Sequence, residues 1–521
     1  MPTVLLWAVM LTGIVVLTPL APRVRVPLPV LLTVFGLALP LLPSAPRLSI
    51  DPALILPAVL PPLLFAATQR STAHEFRESA RPILLLAVGL TVATAAVAAV
   101  VAHQAGLSWG PAWVLGAVVS PPDPVAATAV ARRLSLPGRL VTVLEGEGMF
   151  NDATALVLYQ LGVLAVVTGH VTAVDVGWGL LLAVAVGAGV GFAAGALTRW
   201  ALAALHDAAA ETTVTVAVPF VAYLAADRLH GSGVLAVLVL GLYLRSYGHP
   251  ALSSGGWLLG RAVWRYLDYL ITCIVFVLIG FELTAVLEDS RVDVASLRLA
   301  GWVVASLVVV RFAWMFPAAA LARARRRFQP AATPSGVRET TIVAWAGMRG
   351  VVTVATALAL PLLTDARAPF PYRHEIVFVA LVCVLVTLVV QGLTLAPLVK
   401  VLRVGGEAAT ARDVASLRRR AAAAALSAVE GTAADPEVPE AVRRAVLLQY
   451  QGYLAAQQAL GEARGPAGEA DYSAELDQLL RRASEAEREV VLRARRQGEV
   501  SPEVADEVLH DVETRAVRDL D

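Results

Sequence analysis

The sequence is poor in charge and nearly empty of cysteine. Charged residues make up 16% of its 521 positions, against about 25% in soluble domains. The formal net charge is +1. No basic excess attracts a polyanion, so nucleic acid is not an implied partner. Cys273 and Cys383 are the only cysteines, far apart and each inside an apolar run. They exclude a disulfide framework and a thiolate metal site. An HExxH motif is missing, as is any Cys/His cluster, which removes zinc chemistry. A second transmembrane GxGD motif is also missing, so the acids described below do not read as an aspartyl protease pair. The apolar run from Val4 has no basic stretch ahead of it and no clear cleavage site, and it reads as a retained span.

What the chain has in abundance is long apolar sequence, and almost all of it lies before residue 404. Stretches long enough to span a bilayer fall near 3–20, 27–43, 52–67, 82–103, 110–131, 142–167, 177–204, 211–227, 232–246, 266–287, 299–321, 338–363 and 375–402. The expectation is an all-α polytopic membrane protein with about thirteen transmembrane helices. With the N-terminus outside and boundary arginines assigned to the nearest loop, inward loops carry seventeen arginines and outward loops six. That asymmetry obeys the positive-inside rule and leaves the C-terminus in the cytoplasm. The basic run Arg323–Arg327 reads as a topology signal, with anionic membrane lipid nearby. Small residues such as those of GAGVGFAAG at 187–195 point to closely packed helices.

Acid occurs where acid is costly. A carboxylate in a bilayer core costs roughly 2.5–3.5 kcal/mol on insertion, so such residues are functional suspects. Asp123 sits inside GPAWVLGAVVSPPDPVAATAVA, and Glu145, Glu147, Asn151 and Asp152 open the next apolar stretch. Pro121, Pro122 and Pro124 carry no N–H. They also disfavour the α conformation at Ser120, Pro121 and Asp123. The helix should unwind over Ser120–Pro124. Unwound backbone at membrane depth lies in protein or lines a wet cavity, and broken helices near the midplane are where secondary transporters bind ions. Asp123 either joins such a site or only satisfies the broken helix ends. Glu147 and Asn151, four apart, share a helical face, with Asp152 about 100° round. A carboxylate beside a carboxamide in apolar surroundings suits reversible binding of a small cation or a proton.

The twelfth span repeats the pattern. Arg349 lies between Gly347 and Gly350, and the glycines weaken the helix and admit close backbone. A buried arginine needs a partner, and Glu147 or Glu145 is the natural candidate. Arg311 in the eleventh span is ambiguous, and Glu282 in FVLIGFELTAVL reads as lying near an interface.

These stretches resemble a family. Ser120-Pro-Pro-Asp-Pro-Val125, Glu145-Gly-Glu-Gly-Met-Phe-Asn-Asp152 and Gly347-Met-Arg-Gly350 look like the signatures of the monovalent cation–proton antiporters, in the branch with an Asn-Asp pair. The resemblance covers roughly residues 1–403. It implies a homodimer, and two inverted repeats per protomer with two crossing broken helices, the fifth and twelfth spans. By the same resemblance Asp152 looks like the ion-binding aspartate, with Na⁺ bound there, and Asn151 its neighbour. Asp123 looks like the acid of the unwound helix, and Glu147 with Arg349 the stabilising ion pair. Three departures remove side-chain oxygens that many members carry, at Pro122, Gly148 and Ala66.

Residues 404–521 are different, rich in Ala, Glu and Arg with helical periodicity. Helices are expected near 411–430, 437–462, 472–498 and 502–519, with Ser501 as an N-cap before Pro502. This small cytoplasmic helical domain reads either as a dimerising or solubilising bundle or as a regulatory tail. The expected function is exchange of Na⁺, or alternatively K⁺, for H⁺ by alternating access across a bacterial-type plasma (inner) membrane. Exchange is expected to be electroneutral, with no cofactor. A cation channel and a membrane sensor are the rivals: a channel would not couple the two fluxes strictly, and a sensor would tolerate loss of Asp152.

Overall fold

A computed structural model of the chain describes residues 2–24, 26–41, 52–69, 85–123, 136, 138–168, 173–248, 251–288, 293–324, 336–404, 420–430, 439–463, 473–497, 508 and 511–512. The described residues are helical throughout, apart from turns and one isolated bridge between Leu363 and Pro369. Contacts divide the chain into two units, Met1–Gly405 and Gly406–Asp521.

The first unit is an all-α polytopic membrane fold. Its helices are α1 (Pro2–Val24), α2 (Leu28–Ala38), α3 (Pro52–Thr68), α4 (Thr91–Gln104), α5 (Trp109–Val119), α6 (Gly138–Thr168), α7 (Ala173–Ala204) and α8 (Ala208–Arg228). They continue with α9 (Gly233–Tyr243), α10 (Ser254–Glu288), α11 (Val294–Ala324), α12 (Val337–Trp345), α13 (Val351–Leu358), α14 (Arg373–Val386) and α15 (Gly392–Leu402). Seven helices are by themselves long and apolar enough to cross a membrane, and shorter apolar helices cover 28–38, 52–68, 88–104, 109–119 and 233–248. Each expected span overlaps at least one of these helices, and residues 124–131 of the fifth lie outside the described residues.

Two helix pairs show how the sequence sets the packing. At α7, a β-carbon on Gly187 would lie 2.5 Å from the Ser232 carbonyl, and one on Gly191 would lie 2.3 Å from that of Ala236. The glycine stripe is therefore a backbone-to-backbone seam with α9, as small residues allow. The largest packed cluster joins α5, α10, α12, α13 and α14, with Phe276 and Phe378 fully buried. A second joins α3, α8 and α9 with Trp264 of α10. Long apolar side chains on α1, α7 and α11 face outward, among them Val15, Trp200 and Trp302, as a lipid-facing surface requires.

The second unit contains a helical stretch at 420–430, α16 (Glu440–Ala463) and α17 (Ser473–Gln497). Its surface carries pairs at helical spacing, Glu440 with Arg443 and Glu489 with Arg493, each worth only a few tenths of a kcal/mol. Most of the fourth expected helix, with Ser501–Pro502, lies outside the described residues, as does most of the basic run at 323–327.

Candidate functional site

Two broken helices meet in the first unit. α5 stops at Val119, and residues 120–123 are not helical. The carbonyl of Ala117 would normally wait for an N–H at position 121, which proline lacks. The Ser120 hydroxyl donates to it instead, at 3.0 Å. The second break separates α12 from α13 at residues 346–350. The breaks are joined directly: the Asp123 N–H donates to the Met348 carbonyl at 2.6 Å.

Helix ends leave carbonyls without intrahelical donors, and here arginines take them. Arg349 is buried, and its Nε donates to Val119 at 2.8 Å and its Nη2 to Ser120 at 3.3 Å. Its Nη1 donates to Gly347. A cation at the C-terminal end of α5 is favourable to the helix dipole. The backbone N–H of Arg349 donates to the Thr387 hydroxyl at 3.0 Å. Thr387 opens a π turn, Thr387–Gln391, between α14 and α15.

The buried ion pair differs from the expected one. Glu147 is paired with Arg311 of α11, Nη1 to Oε1 at 2.6 Å and Nη2 to Oε2 at 2.9 Å. Arg349 lies within electrostatic reach of Glu147, but its guanidinium is occupied by the three carbonyls. Two consequences of the second break explain why Arg311 is the partner. The Val343 carbonyl, whose donor would have come from residue 347, is free to accept from Arg311 Nη2 at 3.2 Å. Gly347 also leaves room, because a β-carbon there would stand 2.3 Å from Arg311 Cδ. Arg311 is 3% and Glu147 3% exposed. A two-pronged geometry with further hydrogen bonds is what a pair this buried needs. The sequence carried the signal, an arginine inside an apolar run, but not its partner. Nothing in the sequence pointed to Thr387.

Asp123, Asn151 and Asp152 come together around the first break. Asn151 is buried, and its Nδ2 donates to the Pro122 carbonyl at 3.3 Å. That carbonyl demands the N–H side of the amide, which turns Oδ1 the other way. Oδ1 is buried and has no hydrogen-bond donor among the described residues. Asp152 is half-buried and within electrostatic reach of Asp123. The Asp123 carboxylate lies against Gly350, the N-cap of α13, where a helix N-terminus favours an anion. Pro121 and Pro122 are buried in the break. Pro124 and the Glu145 side chain lie outside the described residues. Of the departures, Ala66 is buried in the α3 cluster and Gly148 is buried on α6.

The oxygens here are carboxylate, amide and backbone carbonyl. Among the described residues no group of three or more His, Cys, Asp and Glu could hold a metal ion. A half-buried carboxylate next in sequence to a carboxamide with an unclaimed oxygen, close to unwound backbone, can bind a monovalent cation or a proton reversibly.

Comparison with known proteins gives the same direction. The family model described as "Sodium/hydrogen exchanger, transmembrane" matches residues 9–401. An uncharacterized Na⁺/H⁺ exchanger of Mycobacterium tuberculosis is 34% identical over 476 residues, covering 87% of this chain and 86% of that protein. A sodium, potassium, lithium and rubidium/H⁺ antiporter of Bacillus pumilus is 29% identical over 71% of this chain and 57% of its own length. The solved structure of the sodium proton antiporter MjNhaP1 from Methanocaldococcus jannaschii is similar in fold, with a TM-score of 0.59 at 16% identity over 77% of this chain and 99% of that one.

Proposed function

Since the chain belongs to the sodium/hydrogen exchanger family, we propose that it exchanges Na⁺, or another monovalent cation, for H⁺, with Asp152 as the shared site. It is a multi-pass membrane transporter and not an enzyme. The observation that carries the assignment is the fixed amide of Asn151. Its Nδ2 is tied to the unwound Pro122 carbonyl, and its Oδ1 is left unclaimed on the residue next to Asp152. A cation on Asp152 would gain that neutral oxygen and carbonyls of the break, and a proton on Asp152 would displace it. One carboxylate serves both ions, so arrival of one requires departure of the other. Asp123 remains an anion, supported by the N-terminus of α13.

The cycle is read as alternating access, in which the crossed helix pair presents the site to either side of a plasma membrane. The inward and outward arginine counts support a cytoplasmic C-terminus, and the family supports a homodimer. K⁺ is the second reading for the cation. The Pro122, Gly148 and Ala66 departures remove side-chain oxygens, and the Bacillus pumilus relative is named for several alkali ions. In proteoliposomes loaded with a pH-quenched dye, addition of Na⁺, K⁺ or Li⁺ should each be tested for proton movement. Dequenching with at least one ion, lost in Asp152→Asn, is expected. No response to any alkali ion would remove the reading.

A further inference from the structure

Another buried carboxylate stands away from the helix breaks, with no salt bridge among the described residues. Glu211 stands in the first turn of α8 and is 0% exposed. Its Oε2 accepts the Ser253 N–H and the Ser253 hydroxyl, each at 3.0 Å. Gly256 makes room for it, since a β-carbon there would lie 1.7 Å from Oε2. The carboxylate thus sits over the start of α10, where two donors and the helix dipole favour an anion. Its other oxygen, Oε1, is buried and has no hydrogen-bond donor among the described residues.

The neighbouring charges do not meet this need. Arg261 and Arg265 on α10 are exposed, and Arg261 stacks over Trp257 at 5.3 Å. His206 is exposed just ahead of α8, and Asp207 is engaged in capping that helix through the Ala210 N–H at 2.7 Å. No salt bridge to Glu211 occurs among the described residues. A buried charge is ordinarily paired or coordinates an ion. Protonating Oε1 would only exchange an acceptor without a donor for a donor without an acceptor. A cation on Oε1 satisfies the charge and the lone pairs together.

We propose that Glu211 holds an accessory monovalent cation at the α8–α10 seam, one that stabilises the fold and is not carried across the membrane. The ligand chemistry is hard oxygen: the Glu211 carboxylate, with the hydroxyls of Ser253 and Thr212 on the same seam. Thr212 lies opposite Gly260, whose β-carbon would stand 3.8 Å from its hydroxyl. A single carboxylate neutralises a single positive charge, so an alkali ion fits better than a divalent one. The helices here are unbroken, unlike those at Asp152. The loop-charge count places the starts of both α8 and α10 on the cytoplasmic side.

The site is independent of the transport assignment, and the test separates them. Thermal unfolding of the purified full-length protein is followed in choline, Na⁺ and K⁺ chloride at equal ionic strength. In Asp152→Asn, an alkali ion should still raise Tm by about 2 °C or more. In Asp152→Asn with Glu211→Gln, that rise should vanish. The glutamine keeps a carbonyl for the Ser253 donors, so the fold is preserved. Equilibrium dialysis with radioactive Na⁺ or Rb⁺ provides a second reading on Glu211→Gln alone, which should lose one bound cation per protomer. An alkali effect that survives in the double variant overturns the proposal. So does its absence from Asp152→Asn, or unchanged stoichiometry in Glu211→Gln.

Discussion

The Asp123 carboxylate occupies the space that a side chain on Gly350 would need: a β-carbon there would lie 1.6 Å from Asp123 Oδ2. The relationship is reciprocal. The first break sends an acid to the N-terminus of α13, and the second sends Arg349 to the C-terminal carbonyls of α5. Each unwound stretch supplies the charge that the other's helix end favours. The backbone bond from Asp123 to Met348 fixes the crossing between them. The helix ends inside this apolar unit are thus met by side chains of opposite sign.

Gly350→Ala should therefore be far more harmful than a glycine-to-alanine change ordinarily is. Gly350 has φ of −159°, outside the left-handed region that favours glycine, and the cost is steric, arising from displacing the carboxylate. A loss of about 1–3 kcal/mol is expected from such overpacking, with exchange reduced at least tenfold. Gly301→Ala on α11 is the control, since a β-carbon there meets nothing within 4 Å. Equal Tm and equal initial exchange rates in the two variants would refute the steric account.

The Glu147–Arg311 pair gives a second test. Arg311→Ala leaves a buried, uncompensated glutamate and should cost on the order of 3–5 kcal/mol. In a double-mutant cycle, Glu147→Gln with Arg311→Met should show strong coupling. Glu147→Gln with Arg349→Met should be nearer additive, because Arg349 is spent on carbonyls. Denaturation midpoints in a fixed detergent would measure both. The reverse order would restore the pairing expected from the motifs.

The two cases show which features the sequence discloses. The break at Ser120–Asp123 was legible because three prolines remove N–H groups in a short run, a local effect independent of the rest of the fold. The contents of the break were legible because acids in apolar sequence are rare. The partner of Glu147 was not, since choosing between Arg311 and Arg349 depends on which carbonyls the second break frees. That is set by where α12 stops, at Trp345, and by the space left at Gly347. Thr387 was hidden for a similar reason. Threonine is common in apolar helices, and only the π turn places its hydroxyl under the Arg349 backbone.

A chain truncated after Val404 should still insert and exchange. The residues assigned to the site all lie in the first unit, which contacts define as Met1–Gly405. The shortened protein should keep its cation dependence while changing in pH dependence or dimer stability. Insertion and dimerisation without exchange at any pH would make residues 406–521 part of the mechanism.

Asn151 is neutral, so the pair at 151–152 offers one titrating carboxylate. One proton against one monovalent cation then moves no net charge, provided Asp123 does not titrate during the cycle. The structure gives a reason for that proviso to hold: the Asp123 carboxylate lies against the N-cap of α13, a position that favours the anion whatever occupies Asp152. Exchange in proteoliposomes should proceed at a rate indifferent to a potential imposed with K⁺ and valinomycin, using Na⁺ as the exchanged cation. Asp152→Asn should abolish exchange with the protein still folded by size exclusion. Asp123→Asn should also impair it, because the amide cannot supply the anion that α13 faces. A voltage-dependent rate in the wild-type protein would show that a second group takes up a proton, and Asp123 would be the first residue to re-examine. Exchange retained in Asp152→Asn would move the ion to a different site altogether.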